Sequence, residues 1–313
     1  MNQFAKDVKE GLSSYPKRLS SKYFYDAIGD ELFRQIMQLD DYYLTRAEHE
    51  IFEGYSHELL SLVGTELPFK ILELGAGDGY KTKVLLRHFL QEKANFSYDP
   101  VDISSNVLNE LKRSLEVELP NLKVDCQVGD YFDVLNDLKL KEDTKSFVLF
   151  LGSNIGNFLI DEAVDFLHKI LENLNRGDLM MIGFDLKKDP KTILKAYDDS
   201  EGVTRKFNLN LLERVNRELD ATFNLEQFDH NPIYDPMTGQ CRSYLISKEA
   251  VDVHIGKLDC TVHFDKWEPI FMEVSKKYDE REIQYLAEKA GFRLVKNFFD
   301  SKKQFCDSVW EVI

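Results

Sequence analysis

The feature that most constrains the fold is a glycine-rich segment that directly follows a short apolar run. The run is Phe69-Lys70-Ile71-Leu72-Glu73-Leu74, and Gly75-Ala76-Gly77-Asp78-Gly79 comes immediately after it. Glycines at this place let the backbone turn sharply and approach a ligand without side-chain collision. An apolar run that ends in this way is typical of a buried parallel strand. The segment therefore favours an open α/β sheet with a ligand at the end of this strand, although an ordinary strand-to-helix turn has the same pattern.

The residues that follow alternate between apolar runs and amphipathic stretches. Further strands are predicted at 96–102, 124–128, 147–151 and 179–184, with helices at 81–90, 107–115 and 161–174. This alternation indicates a doubly wound, mostly parallel sheet with right-handed crossovers. A helix at 280–290 and strands at 293–299 and 305–312 predict an antiparallel C-terminal edge. The fold class expected is α/β with a Rossmann-like core.

Two stretches break the alternation and predict a second, α+β lobe. Residues 27–39 form an amphipathic helical pattern, and Thr45 with Glu48 forms a capping-box pattern for the next helix. Later, 186–224 is polar and helical, whereas 240–265 alternates as strands do. The domains predicted are a core at 55–187 with 278–313, and a lobe at 1–54 with 188–277.

Polar residues follow the second and third predicted strands. A carboxylate at the position of Asp102 can accept both hydroxyls of a ribose. In Gly129-Asp130-Tyr131, the aspartate can bind the amine of adenine and the tyrosine can cover the ring. Tyr80 stands where a dinucleotide-binding GxGxxG motif needs its last glycine, which favours the shorter loop that holds the amino-acid half of S-adenosylmethionine. We therefore predict S-adenosylmethionine as cofactor and a class I methyltransferase core; solvated carboxylates and a non-catalytic nucleoside-binding module are the alternatives.

A second glycine-containing segment, Gly152-Ser153-Asn154-Ile155-Gly156-Asn157, follows the most apolar run of the chain. Binding groups concentrate at the carboxyl ends of such strands, so Asn154 or Asn157 is predicted to face the reacting centre. Asn157 is equally well placed to cap the next helix. The residues alone leave both interpretations open.

Charge and cysteine usage exclude several classes of protein. The formal net charge of -15 disfavours nucleic acid and anionic membranes as partners, because such a surface repels phosphate. No apolar run suits a signal peptide or approaches the roughly 20 residues of a membrane span. The four cysteines lack CxxC spacing and indicate reduced thiols, hence a cytoplasmic location. The seven histidines show no close ligand pair, so no metal site is expected, and nothing indicates an obligate protein partner.

Motifs spread over nearly the whole chain form one ordered set. They are Lys22-Tyr23-Phe24-Tyr25-Asp26, Tyr42-Tyr43-Leu44-Thr45-Arg46-Ala47-Glu48, Phe150-Leu151-Gly152-Ser153-Asn154-Ile155-Gly156-Asn157-Phe158, Ala196-Tyr197-Asp198-Asp199, Asn216-Arg217-Glu218-Leu219 and Glu273-Val274-Ser275-Lys276-Lys277-Tyr278. The set resembles the histidine Nα-methyltransferase family of ergothioneine biosynthesis, which includes ergot-type tryptophan N-methyltransferases. The resemblance implies trimethylation of the α-amine of L-histidine by S-adenosylmethionine. It also implies a substrate lobe made of the N-terminal segment and an insertion after the fifth strand.

The resemblance further implies roles for individual residues. The residues matched to the cofactor are Gly75, Gly77, Lys81, Asp102, Asp130 and Tyr131. Those matched to the amino acid are Tyr42, Asn157, Tyr197, Glu273 and Ser275. Within the second group, Asn157 and Tyr197 are implied near the carboxylate, and Glu273 and Ser275 near the imidazole. Tyr25 is implied beside the cofactor and the amine, which makes Tyr25 and Asn157 the predicted catalytic residues.

One segment departs from the family pattern. In Gln240-Cys241-Arg242-Ser243-Tyr244-Leu245, Ser243 stands where the family tends to have a methionine that packs on the substrate ring. The departure bears on which amino acid is methylated, and not on whether a methyl group is transferred. Tryptophan or another small amine is therefore the alternative substrate, although the carboxylate of Glu273 argues against a purely apolar pocket.

Overall fold

The computed structural model describes residues 2–129, Tyr131, Val134 and 144–313. Its helices, in chain order, are α1 (Gln3–Ser13), α2 (Ala27–Gln38), α3 (Leu44–Val63), α4 (Thr82–Gln91), α5 (Ser105–Glu118), α6 (Ile160–Leu171), α7 (Pro190–Tyr197), α8 (Val203–Leu219) and α9 (Glu280–Lys289). Its strands are β1 (Lys17–Arg18), β2 (Phe69–Leu74), β3 (Phe96–Asp102), β4 (Lys123–Val124), β5 (Gln127–Val128), β6 (Lys145–Phe150), β7 (Leu179–Asp185), β8 (Phe228–Asp235), β9 (Gln240–Ser247), β10 (Val251–Ile255), β11 (Cys260–Phe264), β12 (Pro269–Lys276), β13 (Phe292–Phe299) and β14 (Phe305–Val312).

These elements form two compact units. The core unit contains Leu44–Lys187 with Lys276–Ile313, and the lobe unit contains Met1–Tyr43 with Lys188–Ser275. The boundary that the sequence places at 54/55 falls inside α3, a single helix of 20 residues that belongs to the core unit throughout. The boundary lies at the start of α3 because this helix packs against α4, β7, β13 and β14, which all belong to the core unit.

The core unit has one large sheet with strand order β13-β14-β7-β6-β2-β3-β4, and β5 also pairs with β3. The pairs from β7 through β4 are parallel, while β14 is antiparallel to both β7 and β13. This confirms the predicted doubly wound sheet and its antiparallel edge. The strand predicted at 124–128 is instead two short segments, β4 and β5, interrupted at Asp125 and Cys126. The interruption lies opposite Asp99 and Pro100 of β3, where Pro100 has no N–H for the ladder.

The core unit is held together by apolar side chains that are excluded from water. Every residue of β7 is buried, as is β6 after its first residue, which is the pattern of central parallel strands. Trp310 of β14 is fully buried, with its ring 5.9 Å from that of Phe184 and 5.8 Å from that of Phe292. Buried residues of α6 and α9 join the same cluster. The sheet therefore holds its carboxyl strand ends rigidly, and the candidate site is built on them.

The lobe unit has a sheet of order β1-β12-β9-β8 and a separate β10-β11 hairpin. No strand is predicted from the sequence at β8, which contains Pro232. In the structure β8 is the last strand of its sheet, and an edge position tolerates a residue that cannot donate to the ladder. Helix α8 supplies much of this unit's core, including Phe207 and Leu211, against Leu245 and Met272.

A helix that crosses a membrane must be long and predominantly apolar. Among the described residues, no helix is both long enough and apolar enough to cross a membrane.

Candidate active site

The glycine segment after β2 adopts the left-handed backbone that its composition favours. Gly75, Gly77 and Gly79 have φ angles of +76°, +56° and +66°. A Cβ atom on Gly75 would lie 2.7 Å from the Tyr131 hydroxyl and 3.0 Å from the Asn154 side-chain nitrogen. A Cβ on Gly77 would meet nothing within 4 Å. Gly75 therefore lets the ends of three strands come close together, and Gly77 leaves open space beside its backbone for a ligand.

Asp102, the last residue of β3, binds the glycine segment directly. Its two carboxylate oxygens accept the backbone N–H groups of Gly77, at 3.0 Å, and Ser104, at 2.9 Å. Burial raises the pKa of Asp102, and the hydrogen bonds from Ser104 and Gly77 lower it again in part. Each oxygen has a further lone pair for a hydroxyl donor. Because this carboxylate is fixed next to the open space at Gly77, the residues fit a nucleoside cofactor with a ribose at Asp102.

The predicted adenine-binding pair is described only in part. Asp130 lies outside the described residues. Tyr131 packs its ring on Phe150, with centroids 5.7 Å apart, and on Phe166, at 6.1 Å. Both contacts anchor the tyrosine on the core cluster beside Gly75.

Lys81 is held by a residue whose role the sequence analysis missed. The carboxylate of Glu48 forms an ion pair with Lys81 and accepts the backbone N–H of Gly152 at 2.8 Å and 3.1 Å. The Glu48 side chain is 1% exposed and that of Lys81 is 18% exposed. Burial alone would lower the pKa of Lys81, but the Glu48 charge outweighs it and raises the pKa. The predicted capping box is wrong, because α3 begins at Leu44 and so includes Thr45, and Glu48 turns inward instead of capping.

A second buried carboxyl group lies beside Glu48. Asp307 of β14 is fully buried, and neither of its oxygens receives a hydrogen bond from an N–H or hydroxyl of the described residues. Burial, reinforced by the Glu48 charge, raises the pKa of Asp307 well above its usual range. In its protonated form, Asp307 can donate a hydrogen bond to the carboxylate of Glu48 beside it.

Glu73 lies at the base of the glycine segment, also out of contact with water. Its oxygens accept the hydroxyl of Thr82, at 2.7 Å, and that of Tyr98. Burial raises the pKa of Glu73 to about 7, with the two hydroxyl groups opposing the rise. These bonds tie β2 to the first turn of α4 and to β3, and so fix the two ends of the glycine segment.

The segment after β6 forms a short 3-10 helix, Asn154–Asn157. Asn157 is exposed, and its side chain makes no hydrogen bond within the described part of the chain. The residue that precedes α6 is Leu159, so Asn157 is not its N-cap. The capping interpretation is wrong, and the amide of Asn157 remains available for a ligand.

In the lobe unit, the predicted tyrosines belong to an aromatic cluster. The ring of Tyr25 lies 5.7 Å from those of Phe33 and Phe207, and Tyr42 lies 6.3 Å from Phe33. Tyr25 follows a short 3-10 helix, Ser21–Phe24, and its backbone leads into α2. Tyr25 and Tyr42, which are distant in sequence, therefore pack on the same group of aromatic rings.

Tyr197 and Ser275, both predicted to bind substrate, are in contact. The Tyr197 hydroxyl donates to the Ser275 oxygen at 2.8 Å, linking the end of α7 to β12. Glu273 lies two residues before Ser275 and is half-buried, whereas Met272 is buried in the lobe core. Strand β12 lies between β1 and β9 in the order of the sheet, and β1 pairs only with Ile270 and Phe271, before the chain reaches Glu273.

Ser243, at the position that departs from the family pattern, faces a histidine. Its hydroxyl is 3.4 Å from Nε2 of His230, and Ser243 itself is buried. Burial lowers the pKa of His230 to about 4, so this imidazole is neutral near pH 7. The hydroxyl of Ser243 therefore has a polar partner in His230, whereas a methionine at this position would have no hydroxyl to offer it.

Comparison with known proteins identifies the relatives of this chain. Residues 4–312 match the sequence profile of the histidine-specific, S-adenosylmethionine-dependent methyltransferase family. The histidine N-alpha-methyltransferase of Mycolicibacterium smegmatis is 36% identical over 289 residues, which cover 92% of this chain and 88% of that protein. The L-tryptophan methyltransferase trpM of Psilocybe serbica is 28% identical, covering 96% and 90% of the two chains.

Among solved structures, similarity is more distant. The CcbJ methyltransferase from Streptomyces caelestis matches with a TM-score of 0.47 and 15% identity, covering 84% of this chain and 89% of that one.

Proposed function

This chain belongs to the histidine-specific, S-adenosylmethionine-dependent methyltransferase family, and we propose that it converts the α-amine of free L-histidine to the trimethyl form. The observation that carries the proposal is the Asp102 carboxylate, bonded to Gly77 at the end of a parallel strand beside open space. That arrangement is suited to a ribose. The same proposal includes a cytoplasmic location, because the four cysteines lack the spacing of a disulfide framework.

Methyl transfer requires a neutral amine aligned with an electrophilic methyl group. S-adenosylmethionine, when bound, supplies that methyl group on a sulfonium. An α-amine titrates near pH 8, so the enzyme must favour its neutral form or accept its proton. We propose that most of the acceleration comes from holding the amine in line, for which ordered contacts to the rest of the substrate are needed.

Tyr25 is the proposed proton acceptor, directly or through a water molecule. Because the pKa of a tyrosine is ordinarily near 10, little of the phenolate form that accepts a proton is present near pH 7, so its contribution depends on placement. The rings of Phe33 and Phe207 fix that placement. If few hydrogen-bond donors are fixed around the amine, it is free to rotate between successive methyl transfers.

The substrate contacts proposed are those of Tyr42, Asn157, Tyr197, Glu273 and Ser275. The bond between Tyr197 and Ser275 supports this assignment, because it orients two of the five residues together. The free amide of Asn157 suits a carboxylate, and the half-buried carboxylate of Glu273 suits an imidazole N–H.

The test of this function is incubation of the chain with S-adenosylmethionine and a panel of amino acids, followed by mass spectrometry. Trimethylhistidine as the main product supports the proposal. Methylated tryptophan in its place would show that Ser243 and its neighbours have changed the pocket. Turnover of no amino acid or small amine would contradict methyl transfer to the α-amine altogether.

Asp102→Ala is expected to weaken binding of S-adenosylhomocysteine by about 1 to 3 kcal/mol, because the ribose hydroxyls lose a charged acceptor. Isothermal calorimetry measures this change. Asp125→Ala is the matched control, since it removes an exposed carboxylate beside the same strand and should leave the affinity unchanged. Equal affinity of the Asp102 variant and the wild type would remove Asp102 from the cofactor site.

Asn157→Ala is expected to raise the KM for the amino acid several-fold more than the KM for the cofactor, because a substrate carboxylate loses a hydrogen bond. Asn173→Ala, at the opposite end of α6, controls for loss of an asparagine amide in the same region. Steady-state kinetics with each substrate varied in turn gives both constants. Unchanged constants together with a lower melting temperature would assign Asn157 a purely structural role.

A further inference from the structure

Two parallel helices of the core unit bring together three side chains that commonly bind metals. His88 and Glu92 are separated by one helical turn at the end of α4, so they share a face. His57 of α3 lies against them, with its ring centroid 6.0 Å from that of His88. One ring nitrogen of each histidine and one carboxylate oxygen of Glu92 all lie within 4.8 Å of one another.

The packing of the helices holds this arrangement in place. Two turns before His57, the ring of His49 stacks on that of Tyr80, with centroids 5.0 Å apart. The spacing between the two contacts is the same on each segment, because His49 precedes His57 by as many residues as Tyr80 precedes His88. Helices α3 and α4 therefore run side by side in the same direction. Because the two segments are in contact at both points, His57 is kept next to His88.

The three side chains have unused bonding capacity. Within the described residues, the side chains of His57, His88 and Glu92 form no hydrogen bond or ion pair. The Nε2 atom of His88 is buried and has no partner there. A buried polar atom without a partner costs free energy that a ligand would recover.

We propose that His57, His88 and Glu92 bind one divalent transition-metal ion of the zinc type between α3 and α4. Imidazole nitrogens with one carboxylate are ligands that suit Zn²⁺, whereas Mg²⁺ and Ca²⁺ prefer oxygen ligands alone. Ligand distances of about 2 Å require the three atoms to move closer, to roughly 3.4 Å apart in a tetrahedral site. His57 and Glu92 are exposed and free to make that adjustment, with water as the fourth ligand.

The site would act on the fold rather than on the reaction. An ion held by both helices stabilises the folded state, because the unfolded chain does not hold the three ligands together. The sequence alone predicts no metal site, because 31 positions separate His57 from His88 and the ligands meet only through helix packing.

The test uses the full chain without an affinity tag, freed of metal by a chelator and titrated with ZnCl₂ in a calorimeter. We expect one Zn²⁺ per chain and a higher melting temperature with zinc than without it. His57→Ala and Glu92→Ala, both at exposed positions, should each weaken the affinity at least about tenfold, since even outer residues of metal sites contribute that much. His168→Ala, which removes an exposed histidine of α6 outside this group, is the control and should bind zinc as the wild type does.

Absorption spectra with Co²⁺ in place of Zn²⁺ report the coordination and should show a four-coordinate site in the wild type and the control variant, but not in the His57 or Glu92 variants. The proposal is overturned if the wild type binds no stoichiometric zinc. It is equally overturned if the His57 and His168 variants bind zinc with the same affinity, because the ion would then lie elsewhere. Neither result depends on methyltransferase activity.

Discussion

Replacing Glu48 with alanine is expected to lower the free energy of unfolding by about 3 kcal/mol, since removing one partner of a buried ion pair leaves an uncompensated charge. The Lys81 ammonium would lose its counterion, and the Gly152 N–H would lose its acceptor. Asp307 is a poor substitute for the lost charge, because burial raises its pKa and so disfavours its ionised form. Denaturant unfolding of the purified chain measures the loss.

Two further variants separate the ion pair from the rest of the contact. Glu53→Ala removes an exposed glutamate from the same helix and should change the free energy by no more than about 0.5 kcal/mol. The double variant Glu48→Gln with Lys81→Met removes both charges and should lose less than Glu48→Gln alone, because neither charge is then left unpaired. A Glu48→Ala loss no larger than that of Glu53→Ala would show that the pair contributes nothing.

The sheet of the core unit was predictable because its signals are local. Each parallel strand is an apolar run with a turn after it, and the residues at the strand ends, such as Asp102 and Gly75, follow from the strands themselves. The predicted strand at 305–312 has the bounds that the structure shows. Where the local signal is mixed, as in β8 with Pro232 or the interrupted β4 and β5, the outcome depends on the neighbouring strand, which a single segment does not reveal.

The residues that the sequence analysis missed act through contacts that are remote along the chain. Glu48 has the spacing of a capping box, yet its partners are Lys81 and Gly152, on two other elements. Inward placement depends on α3 packing against the sheet, which local patterns cannot show. By contrast, the contact of Tyr197 with Ser275 joins two residues that the family resemblance had already singled out.

Glu273→Ala is expected to lower kcat/KM for histidine by a factor that corresponds to roughly 1.5 to 3 kcal/mol, because a charge-assisted hydrogen bond to the imidazole is lost. For tryptophan the same change should have little effect or a small gain, since an indole loses no comparable bond. Burying part of a carboxylate costs free energy unless a donor meets it, and the imidazole N–H of histidine is such a donor for the half-buried Glu273. Steady-state kinetics of the wild type and the Glu273→Ala variant, each with histidine and with tryptophan, gives the four kcat/KM values needed.

The comparison between substrates is what separates recognition from folding. A carboxylate that only supports β12 would affect both amino acids alike, because a displaced strand disturbs any substrate bound beside it. Glu273→Gln is the conservative control: it keeps an acceptor but removes the charge, so it should retain part of the histidine activity that Glu273→Ala loses. Equal losses on histidine and tryptophan would contradict the proposed contact. A wild type inactive on histidine would instead locate the change of substrate at Ser243, where the neutral imidazole of His230 already faces the serine hydroxyl.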